Sequence, residues 1–202
     1  DFLDQDKAAA RRELGIPEGK PLVVSVWGSL GASHMNEIMT DFILRACAKP
    51  FFSLIHSAGK AGYSKMSAEL EREKPDYAKL GMDVRAYIYD VPRVMAAADL
   101  VLCRAGASTL AELTAMGKPA ILVPSPNVTN NHQERNARVL EAAGGAKVML
   151  EQEFTADSLL GLVSELLQHP EQLEEMSRNM LKLAVPDATD RIAAEVLELA
   201  SK

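Results

Sequence analysis

Two stretches of this 202-residue chain combine small residues, hydroxyls and a following helix in a way that suits an anion. The first, Gly28-Ser29-Leu30-Gly31-Ala32, follows the apolar run Leu22 to Trp27 and precedes helical spacing at Met35, Ile38, Met39 and Phe42. The second, Arg104-Ala105-Gly106-Ala107-Ser108-Thr109, follows Asp99 to Cys103 and precedes an apolar stripe at Leu110, Leu113 and Met116, closed by Gly117-Lys118-Pro119. A strand that turns through glycine into a helix leaves backbone N–H groups unpaired above the turn, and the helix dipole adds partial positive charge there. Two such turns on one sheet edge suit a diphosphate. Thr109 and Glu112 also stand three apart, the spacing of a capping box, so Glu112 has a purely structural reading as well.

Two further stretches carry polar chemistry. Asn127-Val128-Thr129-Asn130-Asn131-His132-Gln133-Glu134-Arg135-Asn136 masses amides and an imidazole that suit sugar hydroxyls, with loop solvation and helix capping as the plain alternative. In Arg85-Ala86-Tyr87-Ile88-Tyr89-Asp90 the backbone has the groups to read a planar base, while the apolar side chains also suit a strand core. Asp4-Gln5-Asp6 has the Asp-x-Asp form of some metal sites but reads as charge at a helix start. Asn127-Val128-Thr129 is formally a glycosylation acceptor and is discounted in a chain read as cytoplasmic.

Several classes are disfavoured. Gly28, Leu30 and Ser33 do not form the G-x-G-x-x-G pattern of a dinucleotide site, and no lysine follows the turn as in a P-loop. A net charge of −6 and a pI near 5.3 argue against nucleic acid as a partner. No apolar run reaches the length of a membrane span. Cys47 and Cys103 are too few for a disulfide framework or a zinc site, and no metal site is expected.

The elements that must position these loops alternate. Helix is expected over Asp1 to Leu14, then strands over Leu22 to Trp27, Phe51 to His56, Val84 to Ile88, Leu100 to Cys103, Ala120 to Val123 and Ala146 to Leu150. Between them the pattern predicts a loop over Ser57 to Gly62 and helices over Met66 to Glu73, Val91 to Ala97, Ser108 to Met116 and Gln133 to Ala143. The tail reads as three helices, Leu159 to Leu167, Pro170 to Leu183 and Ala188 to Ala200. Alternation of this kind predicts one α/β domain over 1–202. Its open, doubly wound parallel sheet would occupy about 20–150 and its helical tail about 155–202. Ligands of such sheets sit beyond the carboxyl ends of the strands.

Taken together, Gly28-Ser29-Leu30-Gly31-Ala32, Arg104-Ala105-Gly106-Ala107-Ser108-Thr109-x-x-Glu112, Gly117-Lys118-Pro119 and Asn131-His132-Gln133-x-x-Asn136-Ala137 resemble the carboxy-terminal domain of the MurG family. These are bacterial UDP-N-acetylglucosamine transferases. The resemblance implies the donor half of a two-domain, inverting GT-B glycosyltransferase that transfers N-acetylglucosamine to undecaprenyl-diphospho-N-acetylmuramoyl-pentapeptide in peptidoglycan synthesis. It implies that Gly28, Ser29, Leu30 and Gly31, with Gly106, Ala107 and Thr109, hold the diphosphate. Glu112 would accept from the ribose hydroxyls, Ile88 would pair with uracil through its backbone, and Arg104 would support the loop. His132 and Gln133 would bind the sugar, with Asn136 bracing them; His56, Gly59 and Lys60 would form a supporting loop.

Two departures stand out: Trp27 where the family usually has glycine, which would crowd the phosphate turn, and Leu30 where some members carry glutamine. The resemblance further implies no cofactor and no obligatory metal. It places the catalytic base, the lipid acceptor and the membrane contact in an amino-terminal domain outside this chain, and the full-length enzyme on the cytoplasmic face of the plasma membrane. This domain alone would then be inactive. Other readings are the donor domain of another UDP-sugar GT-B enzyme or epimerase, a non-catalytic donor-binding subunit with a membrane partner, and, more distantly, a Rossmann dehydrogenase.

Overall fold

The computed structural model describes residues 5–28 and 33–201. Six strands form one sheet: β1 (Leu22–Val26), β2 (Ser53–Ser57), β3 (Met82–Arg85), β4 (Leu100–Cys103), β5 (Ala120–Leu122) and β6 (Ala146–Val148). Every neighbouring pair is parallel, in the order β3-β2-β1-β4-β5-β6. Parallel neighbours need crossover connections, and helices supply them. These are α2 (Ser33–Ala46), α3 (Lys60–Glu73), α4 (Val91–Ala97), α5 (Ala107–Ala115) and α6 (His132–Ala142), preceded by α1 (Lys7–Glu13). The tail folds as α7 (Ala156–Gln168), α8 (Pro170–Lys182) and α9 (Ala188–Ala200). The doubly wound sheet expected from the alternation is therefore present. Among the described residues, no helix is long and apolar enough to cross a membrane.

Strands β1, β2, β4 and β5 bury both faces, as their near-continuous apolar runs require, while β3 alternates at the sheet edge. Val23, Leu54, Leu100, Leu102 and Ile121 point into one core with Phe42 of α2, Leu70 of α3 and Val163 of α7. Leu22, Val24, Ile55, Val101 and Leu122 point into the other with Ala10 of α1, Met95 of α4 and Leu113 of α5. Both cysteines are free and buried, and burial pushes the Cys103 thiol up to about 12.

Local departures from the sequence pattern have physical causes. The strand expected over Val84 to Ile88 is β3, which begins at Met82 and stops at Arg85. It lies at the sheet edge, and its last rung is the Ala58 N–H to Arg85 carbonyl bond of 2.9 Å; beyond it Gly59 turns away, so no partner remains. Helix α3 starts at Lys60, inside the stretch expected to be loop. Gly62 suggests a turn by type, but here it makes room, since a Cβ there would lie 2.1 Å from Asn36 Nδ2. His56 lies in β2, as the strand expected over Phe51 to His56 requires, and is a buried core residue rather than part of the supporting loop that the resemblance implies. Cys47 lies just past α2 rather than within it. At the amino terminus, Asp1 to Asp4 lie outside the described residues, while Asp6 caps α1 by accepting from the Ala9 N–H at 2.6 Å.

His56 ties the stability of this core to pH. Its Nδ1 lies 3.1 Å from Ser25 Oγ, which in turn lies 3.8 Å from Met39 Sδ, and its Nε2 has no partner among the described residues. A neutral ring donating from Nδ1 to Ser25, which donates onward to sulfur, satisfies this chain and leaves only a lone pair unpaired. Burial drives the imidazole down from 6.5 to about 3. The unfolded chain thus takes up a proton where the folded chain does not, so stability present above pH 6.5 is lost as pH falls towards 3. Between pH 7.5 and 4.5, urea denaturation should show His56→Leu losing roughly 3 kcal/mol less than the parent. That figure is about 1.4 kcal/mol for each pH step below 6.5 in which only the unfolded chain holds the proton. Equal losses in both proteins would contradict this assignment.

Candidate functional site

The order of strands reverses between β1 and β4. The chain leaves β1 for β2 on one side and β4 for β5 on the other, which opens a crevice at their carboxyl ends. Gly28 begins the first loop at φ 92, a left-handed conformation that glycine adopts without strain, and it is exposed. Ser29, Leu30, Gly31 and Ala32 lie outside the described residues.

The second loop is fully described. Gly106 is the N-cap of α5, with no side chain to satisfy the first turn and nothing within 4 Å of a Cβ built on it. The N–H groups of Ala107, Ser108 and Thr109, at the positive end of the helix, make no hydrogen bond among the described residues. The capping box suggested by Thr109 and Glu112 does not form. Helix α5 starts three residues earlier than that reading needs, so Thr109 is already inside it and Glu112 occupies the second turn. Helical side chains lean towards the amino end, so Glu112 leans back towards the crevice. Its carboxylate is half-buried, which raises its pKa, and no donor reaches it among the described residues.

Arg104 holds the floor of the crevice. Its Nη1 donates to the Val123 carbonyl at 3.1 Å and to Glu151 Oε2 at 2.7 Å, tying the end of β4 to the end of β5 and the turn after β6. The guanidinium also lies 6.0 Å from the centroid of Trp27. That indole, expected to crowd the phosphate turn, is instead buried against Phe154, with ring centroids 5.4 Å apart at 69°. The Trp27 departure is absorbed by the core. Glu151 is not legible as a site residue from the sequence: it lies 47 positions from Arg104, and charge is its sole signal.

The remaining predicted residues lie at the same carboxyl edge: Ile88 in the segment after β3, and His132, Gln133 and Asn136 in the first turns of α6. Ile88 follows β3 and is buried, and its own N–H and C=O make no hydrogen bond among the described residues. Asn130 and Asn131 both take left-handed conformations, at φ 54 and 51, which lets the chain turn sharply into α6. Gln133 Oε1 accepts from the Ser125 N–H at 2.9 Å, and His132 Nδ1 lies 2.9 Å from the Thr129 carbonyl, to which it donates. Bracing of this loop thus falls to Gln133, leaving its amide N–H groups unbonded, while Asn136 makes no hydrogen bond among the described residues. Among those residues no cluster of three or more His, Cys, Asp or Glu side chains is placed to hold a metal ion.

The strand-order reversal leaves a crevice bordered by the starts of α2 and α5, and the chain belongs to the family of glycosyltransferase family 28 C-terminal domains, which it matches over residues 22–192. Its relatives have a shared name. It is 41% identical over 192 residues to the UDP-N-acetylglucosamine--N-acetylmuramyl-(pentapeptide) pyrophosphoryl-undecaprenol N-acetylglucosamine transferase of Acetivibrio thermocellus, covering 95% of this chain and 51% of that protein. It is 43% identical over 197 residues to the protein of the same name from Ruminiclostridium cellulolyticum, covering 96% and 52%. The crystal structure of Acinetobacter baumannii MurG superposes with a TM-score of 0.79 at 25% identity, covering 98% of this chain and 55% of that one. The chain thus spans about half the length of the curated relatives it matches, and its fold is that of one half of a GT-B glycosyltransferase.

Arg104→Gln should lower stability by about 2 kcal/mol, because it leaves the partly buried Glu151 carboxylate without its cation. Urea denaturation followed through Trp27, the single tryptophan, reads this directly. Adding Glu151→Gln should recover most of the loss, and a change below about 0.5 kcal/mol would place the pair among inconsequential surface contacts.

Proposed function

We propose that this protein is the donor-binding half of an inverting transferase that moves N-acetylglucosamine from UDP-N-acetylglucosamine to undecaprenyl-diphospho-N-acetylmuramoyl-pentapeptide. The observation that carries the reading is the pairing of the helix start at Gly106 with the Glu112 carboxylate, which no donor reaches among the described residues, about one turn and a half along the same helix. An anion above the first and a pair of hydroxyls against the second match the diphosphate and ribose of one nucleotide. Membership in the family and the names of the relatives support UDP-N-acetylglucosamine as that nucleotide and the lipid-linked pentapeptide as acceptor.

In this mechanism the acceptor hydroxyl attacks the anomeric carbon from the face opposite the diphosphate, and the glycosidic bond to UDP breaks with inversion. Negative charge grows on the leaving diphosphate as that bond lengthens. The N–H groups of Ala107, Ser108 and Thr109, with the dipole of α5 behind them, stabilise that charge, and Gly28, Ser29, Leu30 and Gly31 hold the same diphosphate. Ile88 offers its free N–H and C=O to the uracil edge, and the amide N–H groups of Gln133, with His132, face the sugar hydroxyls. Arg104 fixes the loop between β4 and α5 and touches no substrate. No residue of this chain is assigned as the base that deprotonates the acceptor, and the acceptor site and the membrane contact belong to the half of the relatives that this chain does not span.

Glu112→Ala should weaken UDP binding by about 1 to 3 kcal/mol, the range for hydrogen bonds to a charged group. Because Glu112 caps nothing, its melting temperature should stay within about 2 °C of the parent. Unchanged UDP affinity in calorimetry would remove Glu112 from the site.

A further inference from the structure

At the opposite, amino edge of the sheet lies a cavity of 730 Å³, bounded by the segments that enter β1, β4 and β5 and by the first turns of α8. Gly117-Lys118-Pro119, the motif that the donor site leaves unused, forms part of its wall. Gly117 is needed there: at φ 59 it is left-handed, and a Cβ would lie 2.7 Å from Leu181 Cγ near the end of α8.

The charges around this cavity do not balance. Asp99 accepts from the Leu22 N–H at 2.7 Å, Arg11 at 2.9 Å and Lys7 at 2.6 Å, so one carboxylate serves two cations. Lys118 stands beside them, 8% exposed, with its ammonium on the Ala96 and Ala98 carbonyls at 2.7 and 3.2 Å and no paired carboxylate among the described residues. Burial, with the nearby charges of Lys7 and Arg11, lowers it to about 8. Arg178 faces the group from α8, held only loosely by Glu174 at 4.0 Å. Lys20 also lines the wall, with its ammonium on the Leu80 carbonyl at 2.9 Å. Lys7, Arg11, Lys118 and Arg178 thus share the carboxylates of Asp99 and Glu174 in a concavity on a chain whose net charge is −6. The Ser177 hydroxyl, without a partner among the described residues, and the amino end of α8 at Pro170 border the same space.

We propose that this cavity is a second anion site, which takes a phosphate or diphosphate group between Lys7, Lys118, Ser177 and Arg178. It is separate from the crevice at the carboxyl edge by the length of a strand, roughly 13 Å for four residues at about 3.3 Å each. It does not depend on what the crevice binds.

The test is a titration of the protein with inorganic pyrophosphate at pH 7, followed by backbone amide NMR. Saturable shifts are expected at Gly117, Lys118, Ser177 and Arg178, whatever happens at Gly106 to Thr109. The double variant Lys7→Gln/Arg178→Gln should bind at least fivefold more weakly, and Glu174→Gln at least twofold more tightly. Arg11 still holds Asp99 in the double variant, so its spectrum should remain that of the folded parent. Absence of saturable shifts at those amides, or equal affinity in the parent and double variant, would overturn the site. Co-sedimentation with phosphatidylglycerol and phosphatidylcholine vesicles then identifies the source. Pelleting with phosphatidylglycerol alone that the double variant loses assigns the phosphate to a lipid surface, and pyrophosphate binding without pelleting assigns it to a soluble anion.

Discussion

Parallel pairing of β1 with β4 is the constraint on which the rest of the structure depends. Val23, Val24, Ser25 and Val26 pair with Leu100, Val101, Leu102 and Cys103, and this register brings the ends of two strands distant in sequence to the same height. Because the chain departs from those ends in opposite directions, neither outgoing helix covers the space between them. Asp99 secures the register from below by accepting the Leu22 N–H while it holds Arg11 and Lys7 of α1. Burial alone would raise that carboxyl, but the Lys7 bond, the Leu22 N–H and the two cations outweigh it and keep it below the usual range.

The two edges of the sheet consequently differ in character. At the carboxyl edge the polar groups belong mainly to the backbone: the first turn of α5, the exposed Gly28 and the unbonded amide of Ile88. They carry partial charge in fixed directions and need no rearrangement to meet a ligand. At the amino edge the polar groups are whole charges on side chains, drawn together because Asp99, Lys118 and α1 all fasten the strand starts. One edge is suited to stabilise charge that develops during a reaction, the other to hold charge that is already present.

Much of this is legible in the sequence because parallel strands buried on both faces leave long apolar runs, as at Leu22 to Val26 and Leu100 to Cys103. The glycine turns after them locate both loops of the crevice. Where pattern and structure part, a residue serves a contact that sequence spacing does not encode. Gly62 has the type of a loop residue but makes room for Asn36, and Trp27 has the bulk of an obstruction but packs on Phe154, far along the chain. Thr109 and Glu112 match a capping spacing while the helix begins earlier at Gly106, whose lack of a side chain gives no capping signal. The Arg104 to Glu151 pair is hidden for the same reason: a tertiary ion pair has no periodicity.

The central claim, a uridine-diphosphate site at the β1 and β4 ends, is tested most directly by calorimetric titration of the protein with UDP-N-acetylglucosamine, UDP, GDP and NAD in the presence of EDTA. UDP and UDP-N-acetylglucosamine are expected to bind with one-to-one stoichiometry, at least tenfold more tightly than GDP, with no measurable heat from NAD. Equal affinity for GDP, or no heat from either uridine nucleotide, would contradict it.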